Sequence, residues 1–161
     1  MEMSAKPRHR TRRFDSPEQG AYLALWRTYD RLKAVEDDFF VAWDLTAQQY
    51  NVLRLLRAEP DGMPTLALVG KLISRAPDVT RMLDKLENRG LIERKRTVAD
   101  RRSVLVSITP DGVVLLDAMA VPLKECHARQ LGHMSQHELK SLTALLRAAA
   151  KPHEPLDSPW L

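Results

Sequence analysis

Apolar residues at helical spacing mark out most of the chain. Tyr22, Leu25, Trp26, Tyr29, Leu32, Val35, Phe39, Phe40 and Trp43 recur every three to four positions, which predicts one long amphipathic helix. Ser16 stands ahead of it as an N-cap, Pro17 takes the first helical position and Gln19 completes a capping box. Run from Pro17 to Trp43, the helix is roughly 40 Å long. So long and aromatic a stripe needs more cover than a domain of this size easily provides: either it crosses the whole domain or it meets a second copy of itself, and the second implies a dimer. Thr46 and Gln49 form another capping box before Tyr50, Leu53 and Leu56, and this helix stops ahead of Pro60. After the turn at Asp61-Gly62, Thr65 is placed to cap a short helix with Leu66, Val69, Leu72 and Ile73 inward.

The pattern then changes character. A turn at Ser74-Arg75-Ala76-Pro77 leads into a helix with Val79, Met82, Leu83 and Leu86 on one stripe, ended by Gly90. Leu91 and Ile92 begin an extended run. A second, Ser103 to Ile108, has Val104, Val106 and Ile108 at period two. Thr109-Pro110-Asp111-Gly112 restarts a helix along Val113, Leu116, Met119 and Ala120, with Leu123 beyond a possible kink at Pro122. Ser135 and Glu138 cap the last one, which carries Leu139, Leu142, Leu145 and Leu146. The expected fold is mainly α with a small β-hairpin wing: a winged helix-turn-helix over 46–109, flanked by dimerisation helices at 16–44 and 110–151. Together these make one domain over 14–151. Residues 1–13 are polar, basic and aperiodic, which predicts a disordered arm, and 152–161, with three prolines, predict an irregular tail.

Charge gives this architecture a partner. Lys71 to Arg102 holds ten Lys/Arg against five Asp/Glu, a net +5, and Met1 to Arg13 has a net +4. The whole chain is only +4, so positive charge is concentrated in two segments, as a polyanion partner requires. Cys126 is the only cysteine. It excludes an internal disulfide and any Cys-x-x-Cys site, and it suits a reduced, cytoplasmic setting. No apolar run approaches a membrane span, and the basic N-terminus lacks the apolar segment of a secretory signal.

A major groove accepts one α-helix whose polar face reaches base edges while its apolar face is held by protein. Thr80, Arg81, Asp84 and Lys85 lie off the apolar stripe of the Val79–Leu86 helix, and Ser74, Arg75 and Asp78 lie near its start. Arginine pairs with guanine O6 and N7 together, and threonine offers a hydroxyl and a methyl. In the hairpin, Arg96, Asp100, Arg101 and Arg102 stand near the tip. Arginine is favoured in a narrow minor groove, and Asp100 can hold one arginine in a fixed rotamer. The DNA-contact set expected here is therefore Ser74, Arg75, Asp78, Thr80, Arg81, Lys85, Arg96, Asp100, Arg101 and Arg102.

The sequence resembles the multiple antibiotic resistance regulator (MarR) family of bacterial transcription factors. The resemblance is carried by V-T-R-M-L-D-K-L-E-N-R-G-L-I-E-R from Val79 to Arg94, D-R-R at Asp100 to Arg102, and V-S-I-T-P-D-G from Val106 to Gly112. It implies a homodimer on inverted-repeat double-stranded DNA, and repression relieved by a small aromatic or phenolic ligand bound between the dimer helices and the DNA-binding lobe. Trp26, Tyr29, Phe40, Trp43 and Tyr50 are the candidate effector residues. No cofactor is expected. The alternative is a zinc-responsive regulator of the same fold using Cys126, His127, His133 and His137, although His133 and His137 straddle the Ser135 cap. An enzyme is not expected: His137-Glu138 lacks the second histidine of a zinc-protease motif, because position 141 is serine, and neither a Gly-rich phosphate loop nor a G-x-S-x-G elbow occurs.

Overall fold

A computed structural model of the chain describes residues 14–73, 78–96, 104–155 and 158. Among these, the order is α1 (Pro17–Ala42), α2 (Ala47–Arg57), β1 (Met63–Pro64), α3 (Thr65–Lys71), α4 (Val79–Asn88), β2 (Ile92–Arg96), β3 (Val104–Ile108), α5 (Pro110–Leu131) and α6 (Gln136–Ala150), then a single 3₁₀ turn at Lys151–His153. The fold is mainly helical with a small antiparallel sheet, the winged-helix arrangement expected. The arm at 1–13 and the tail residues Trp160 and Leu161 lie outside the described residues.

Packing divides the chain into two units, Met1–Ala34 and Val35–Leu161. In the first, Ser16 Oγ accepts from the Gln19 N–H at 3.1 Å, as an N-cap should. The reciprocal bond is displaced by one residue: Gln19 Oε1 accepts from the Asp15 N–H at 2.7 Å rather than from that of Ser16. The apolar stripe of this unit is open to solvent, with Tyr22, Leu25, Trp26 and Tyr29 all exposed.

In the second unit, α2 begins with a complete capping box between Thr46 and Gln49. Its inner face buries Val52, Leu53 and Leu56 against a core that also takes Phe40, Leu68, Leu83, Leu86, Ile92, Val106 and Met119. The α5 helix runs through Pro122 without interruption. The α6 helix carries the expected Ser135–Glu138 capping box but buries none of its residues, and Leu145 and Leu146 are exposed.

Three expectations are corrected here. The wing is not a bare hairpin: β1 pairs antiparallel with β3, Met63 opposite Val106, giving the order β1-β3-β2. Thr65 does not cap α3: the N-cap position is Pro64, with no side-chain cap, and Thr65 is the first helical residue. Its hydroxyl instead donates to the Val104 carbonyl at 3.2 Å, fastening α3 to β3. The phase of α3 differs accordingly. Leu72 is buried as expected and Leu68 joins it, while Leu66, Val69 and Ile73 are exposed.

Candidate nucleic-acid interface

The α4 helix is built to present one polar face. Asp78 is its N-cap, with Oδ1 accepting from the Arg81 N–H at 2.9 Å, so the backbone that carries Arg81 is anchored at the helix start. Leu83 and Leu86 are fully buried, and Val79 and Met82 pack against the same core. Gly90, in the left-handed region at φ 70°, ends the helix and turns the chain into β2.

Helical spacing sorts the remaining α4 residues into two stripes. Arg81, Lys85 and Asn88 form one and are exposed. Thr80, Asp84 and Glu87 form the other, and its last two members meet β2 through Arg94. The Arg94 guanidinium reaches Asp84 Oδ1 at 2.5 Å and Glu87 Oε2 at 2.5 and 2.9 Å, and its backbone N–H donates to Glu87 Oε1 at 3.1 Å. The Arg94 hydrogen bonds hold the Glu87 carboxyl below its ordinary pKa, and those of Glu87 raise that of Arg94 in turn. Asp84, grouped by sequence with the base-reading side chains, is thus engaged in joining helix to wing.

A second clamp acts at the far end of α4. Arg89, its C-cap residue, donates to the backbone carbonyl of Asp44 and, at 3.4 Å, to that of Trp43. At the base of the wing, Thr109 Oγ1 accepts from the Gly112 N–H at 3.2 Å, capping α5, and donates to the Gly90 carbonyl at 2.5 Å. Gly112 is required there by close approach, since a Cβ would fall on the Leu91 carbonyl and the Ile108 side chain. The T-P-D-G motif therefore locks the return of the wing to the end of α4.

Of the expected contact residues, Asp78, Thr80, Arg81, Lys85 and Arg96 are described, and all five are exposed. Arg96 ends β2 opposite Val104, where the hairpin leaves the sheet. Ser74, Arg75, Asp100, Arg101 and Arg102 lie outside the described residues. The candidate effector residues do not all belong to the buried core. Phe40 is buried, with its ring 5.2 Å from that of half-buried Tyr50, and Trp43 packs on Phe39 at 6.2 Å. Trp26 and Tyr29 belong to the first unit and are exposed. Nor do the candidate zinc ligands converge. Cys126 is fully buried, 3.8 Å from the Val35 carbonyl, whereas His127 meets Gln130 at 3.0 Å and is exposed, as are His133 and His137. Among the described residues, no group of three or more His, Cys, Asp or Glu could hold a metal ion.

Sequence reasoning missed both clamps. Glu87 lies in α4 and Arg94 in β2, and Asp44 and Arg89 are forty-five apart, so neither pair can be read from the spacing within one helix. The one usable signal was Gly90, since a reversal there folds Arg94 back over Glu87.

Residues 45–104 match the model of the MarR family. The chain is 34% identical over 105 residues to the transcriptional regulator HosA of Escherichia coli O157:H7, covering 65% of this chain and 76% of that protein. It is 50% identical to a MarR transcription factor from Planctomyces limnophilus, whose crystal structure matches with a TM-score of 0.67 over 84% of this chain and 99% of that one. The chain belongs to the MarR family. Another similar structure is that of Bordetella bronchiseptica BpsR, at 27% identity, a TM-score of 0.73, and coverage of 81% of this chain and 98% of that one; it concerns regulation of BpsR DNA binding by 6-hydroxynicotinic acid. As a MarR-family member the protein is a DNA-binding transcriptional regulator and not an enzyme. None of its described helices is long and apolar enough to cross a membrane.

Proposed function

We propose that this MarR-family regulator is a cytoplasmic homodimeric repressor that binds an inverted-repeat operator and is released by a small aromatic or phenolic effector. The observation that carries the reading is the exposed Arg81–Lys85–Asn88 stripe on a helix capped at Asp78, clamped to the wing by Arg94 and held at its end by Arg89. Such a helix meets DNA without first having to be ordered. In this reading 46–109 form the DNA-binding lobe, with 16–44 and 110–151 as dimerisation helices. Thr80, Arg81 and Lys85 face the major groove, with Ser74, Arg75 and Asp78 at its edge, while Arg96, Asp100, Arg101 and Arg102 serve the wing.

Dimerisation is supported by the exposed Tyr22, Leu25, Trp26 and Tyr29 of α1 and Leu145 and Leu146 of α6, apolar surface of the kind that marks an interface. A two-fold dimer reads two half-sites about one helical turn apart. Release by a small molecule is supported by BpsR, whose DNA binding 6-hydroxynicotinic acid regulates. Sequencing genomic fragments retained by the purified protein tests the reading. Enrichment of an inverted repeat upholds it, and retention without sequence preference refutes it. Adding aromatic acids and phenols to the retained complex tests release.

A further inference from the structure

We propose that the outer face of α3, formed by Leu66, Val69 and Gly70, is a contact between two copies of this regulator bound at neighbouring sites on one DNA. Each copy uses the same face, and the contact is too small to hold them together off the DNA. The inference needs DNA binding but neither the operator nor the effector of the preceding reading.

The inner side of α3 is fixed, and its outer side leaves apolar groups in solvent. Leu68 and Leu72 are buried, the Thr65 hydroxyl donates to the Val104 carbonyl at 3.2 Å, and Lys71 Nζ meets Glu59 Oε1 at 2.7 Å. Leu66 is 86% exposed, and Val69 and, just past the helix end, Ile73 are exposed as well. Leu66, Val69 and Gly70 stand three and four positions apart, hence on one face. Glycine is a poor helix former, and the fold gives Gly70 no reason to be one. Its backbone is not in the left-handed region, and a Cβ built on it would meet nothing within 4 Å. What an exposed helical glycine does offer is close approach to another backbone.

Charge and area decide what fits this face. The only charged side chain of α3 is Lys71, and Glu59 already pairs with it, so the face has nothing to draw a phosphate and suits an uncharged, apolar partner. The same face on a second copy meets that requirement, and a face that meets itself across a two-fold axis makes a closed contact. Leu66 of one copy then lies over Gly70 of the other. A helix of seven residues is only about 10 Å long, so two such faces bury far less than the roughly 1,200 Å² of a stable interface. Free DNA-binding lobes also repel, because residues 71–102 carry a net +5. On DNA the phosphates neutralise that charge and hold two copies at high effective concentration, where a small contact is enough.

The test is titration of the full chain, natural and with Leu66→Gln or Gly70→Gln, onto a duplex just long enough for one regulator and onto a random-sequence duplex several times longer. Both substitutions are uncharged and at exposed positions, so they leave the attraction to phosphate as it is. The natural chain is expected to fill the long duplex with a cooperativity of about tenfold and each variant to fill it without any. All three should bind the short duplex equally, and neither variant should melt below the natural chain. Independent filling of the long duplex by the natural chain, or cooperativity kept in either variant, overturns the contact. Weaker binding of a variant to the short duplex would show that the face touches DNA or the other half of its own dimer. A lower melting temperature would show that the face is covered within its own chain, for instance by the C-terminal tail. Either result also overturns the proposal. Because the long duplex carries no operator, failure to retain an inverted repeat would sink the operator reading and leave this result standing.

Discussion

Arg94 and Glu87 are joined three times, through the Arg94 backbone N–H, Nε and Nη2, at 3.1, 2.9 and 2.5 Å. Arg94 lies in β2 and Glu87 in the last turn of α4, so the pair fixes the angle between the two elements proposed to meet DNA. Arg94→Gln is expected to leave the fold intact, lower thermal stability by the equivalent of about 1 kcal/mol, and weaken operator binding. Arg94→Lys should recover only part of it, because an ammonium cannot engage both carboxylates through a planar fork. Melting and gel-shift titration of the same preparations check this. Operator affinity unchanged in Arg94→Gln speaks against a wing held for DNA.

The same pair sets a pH dependence. The hydrogen bonds from Arg94 hold the Glu87 carboxyl below its ordinary pKa. A depressed carboxylate contributes stability that is fully present above the unfolded value of about 4.3 and is lost as pH falls through the lower folded value. Glu87→Gln should therefore destabilise the protein at neutral pH and make little difference once both forms are well below pH 4. Glu87 is partly exposed, so the gap should not exceed about 1 kcal/mol. Urea unfolding at several pH values measures it, and a gap that widens in acid contradicts the assignment.

Dimerisation through α1 predicts that charge on its apolar stripe separates the protomers. Trp26→Glu combined with Tyr29→Glu should give a monomer at micromolar concentration by light scattering, with helical content largely retained in the second unit. A stable dimer in that variant would place the interface elsewhere.

The two reading elements should fail differently. Arg81→Ala is expected to cost about 1–3 kcal/mol per half-site and to relax preference at one symmetric base position. Arg102→Ala should weaken binding to many sequences alike and lower the salt slope by about one. Binding to an operator and its single-base variants at several salt concentrations separates the two. If Arg81→Ala changes neither affinity nor base preference, α4 is not the reading helix.

Cys126 is fully buried and is expected to behave as packing rather than as a sensor. A thiol reagent should label it only after denaturation, and zinc should leave operator affinity unchanged. Labelling of the native protein together with loss of DNA binding would assign it a regulatory role.

The parts of this protein that its sequence determined are those decided within one or two helical turns. Thr46 with Gln49 and Ser135 with Glu138 cap their helices as their spacing requires, because a cap needs only a side chain and an N–H three residues away. Gly90 ends α4 for a similarly local reason, its left-handed backbone. The exposed polar residues of α4 follow from its 3.6-residue period once Leu83 and Leu86 are buried. Where the pattern was short, the reading failed. The seven residues of α3 are too few to fix its phase: Leu72 is buried as expected, but tertiary contact turned Leu68 inward and left Leu66, Val69 and Ile73 exposed. The β1 strand has only two residues and no periodicity of its own, and exists because β3, some forty positions later, offers it a ladder. The clamps of Arg94 on Glu87 and Asp84, and of Arg89 on the Asp44 carbonyl, depend on chain reversals that bring distant charges and carbonyls together. Local hydrogen bonding is written in spacing, whereas pairing across a fold depends on where every intervening element packs, and only the tertiary structure decides that.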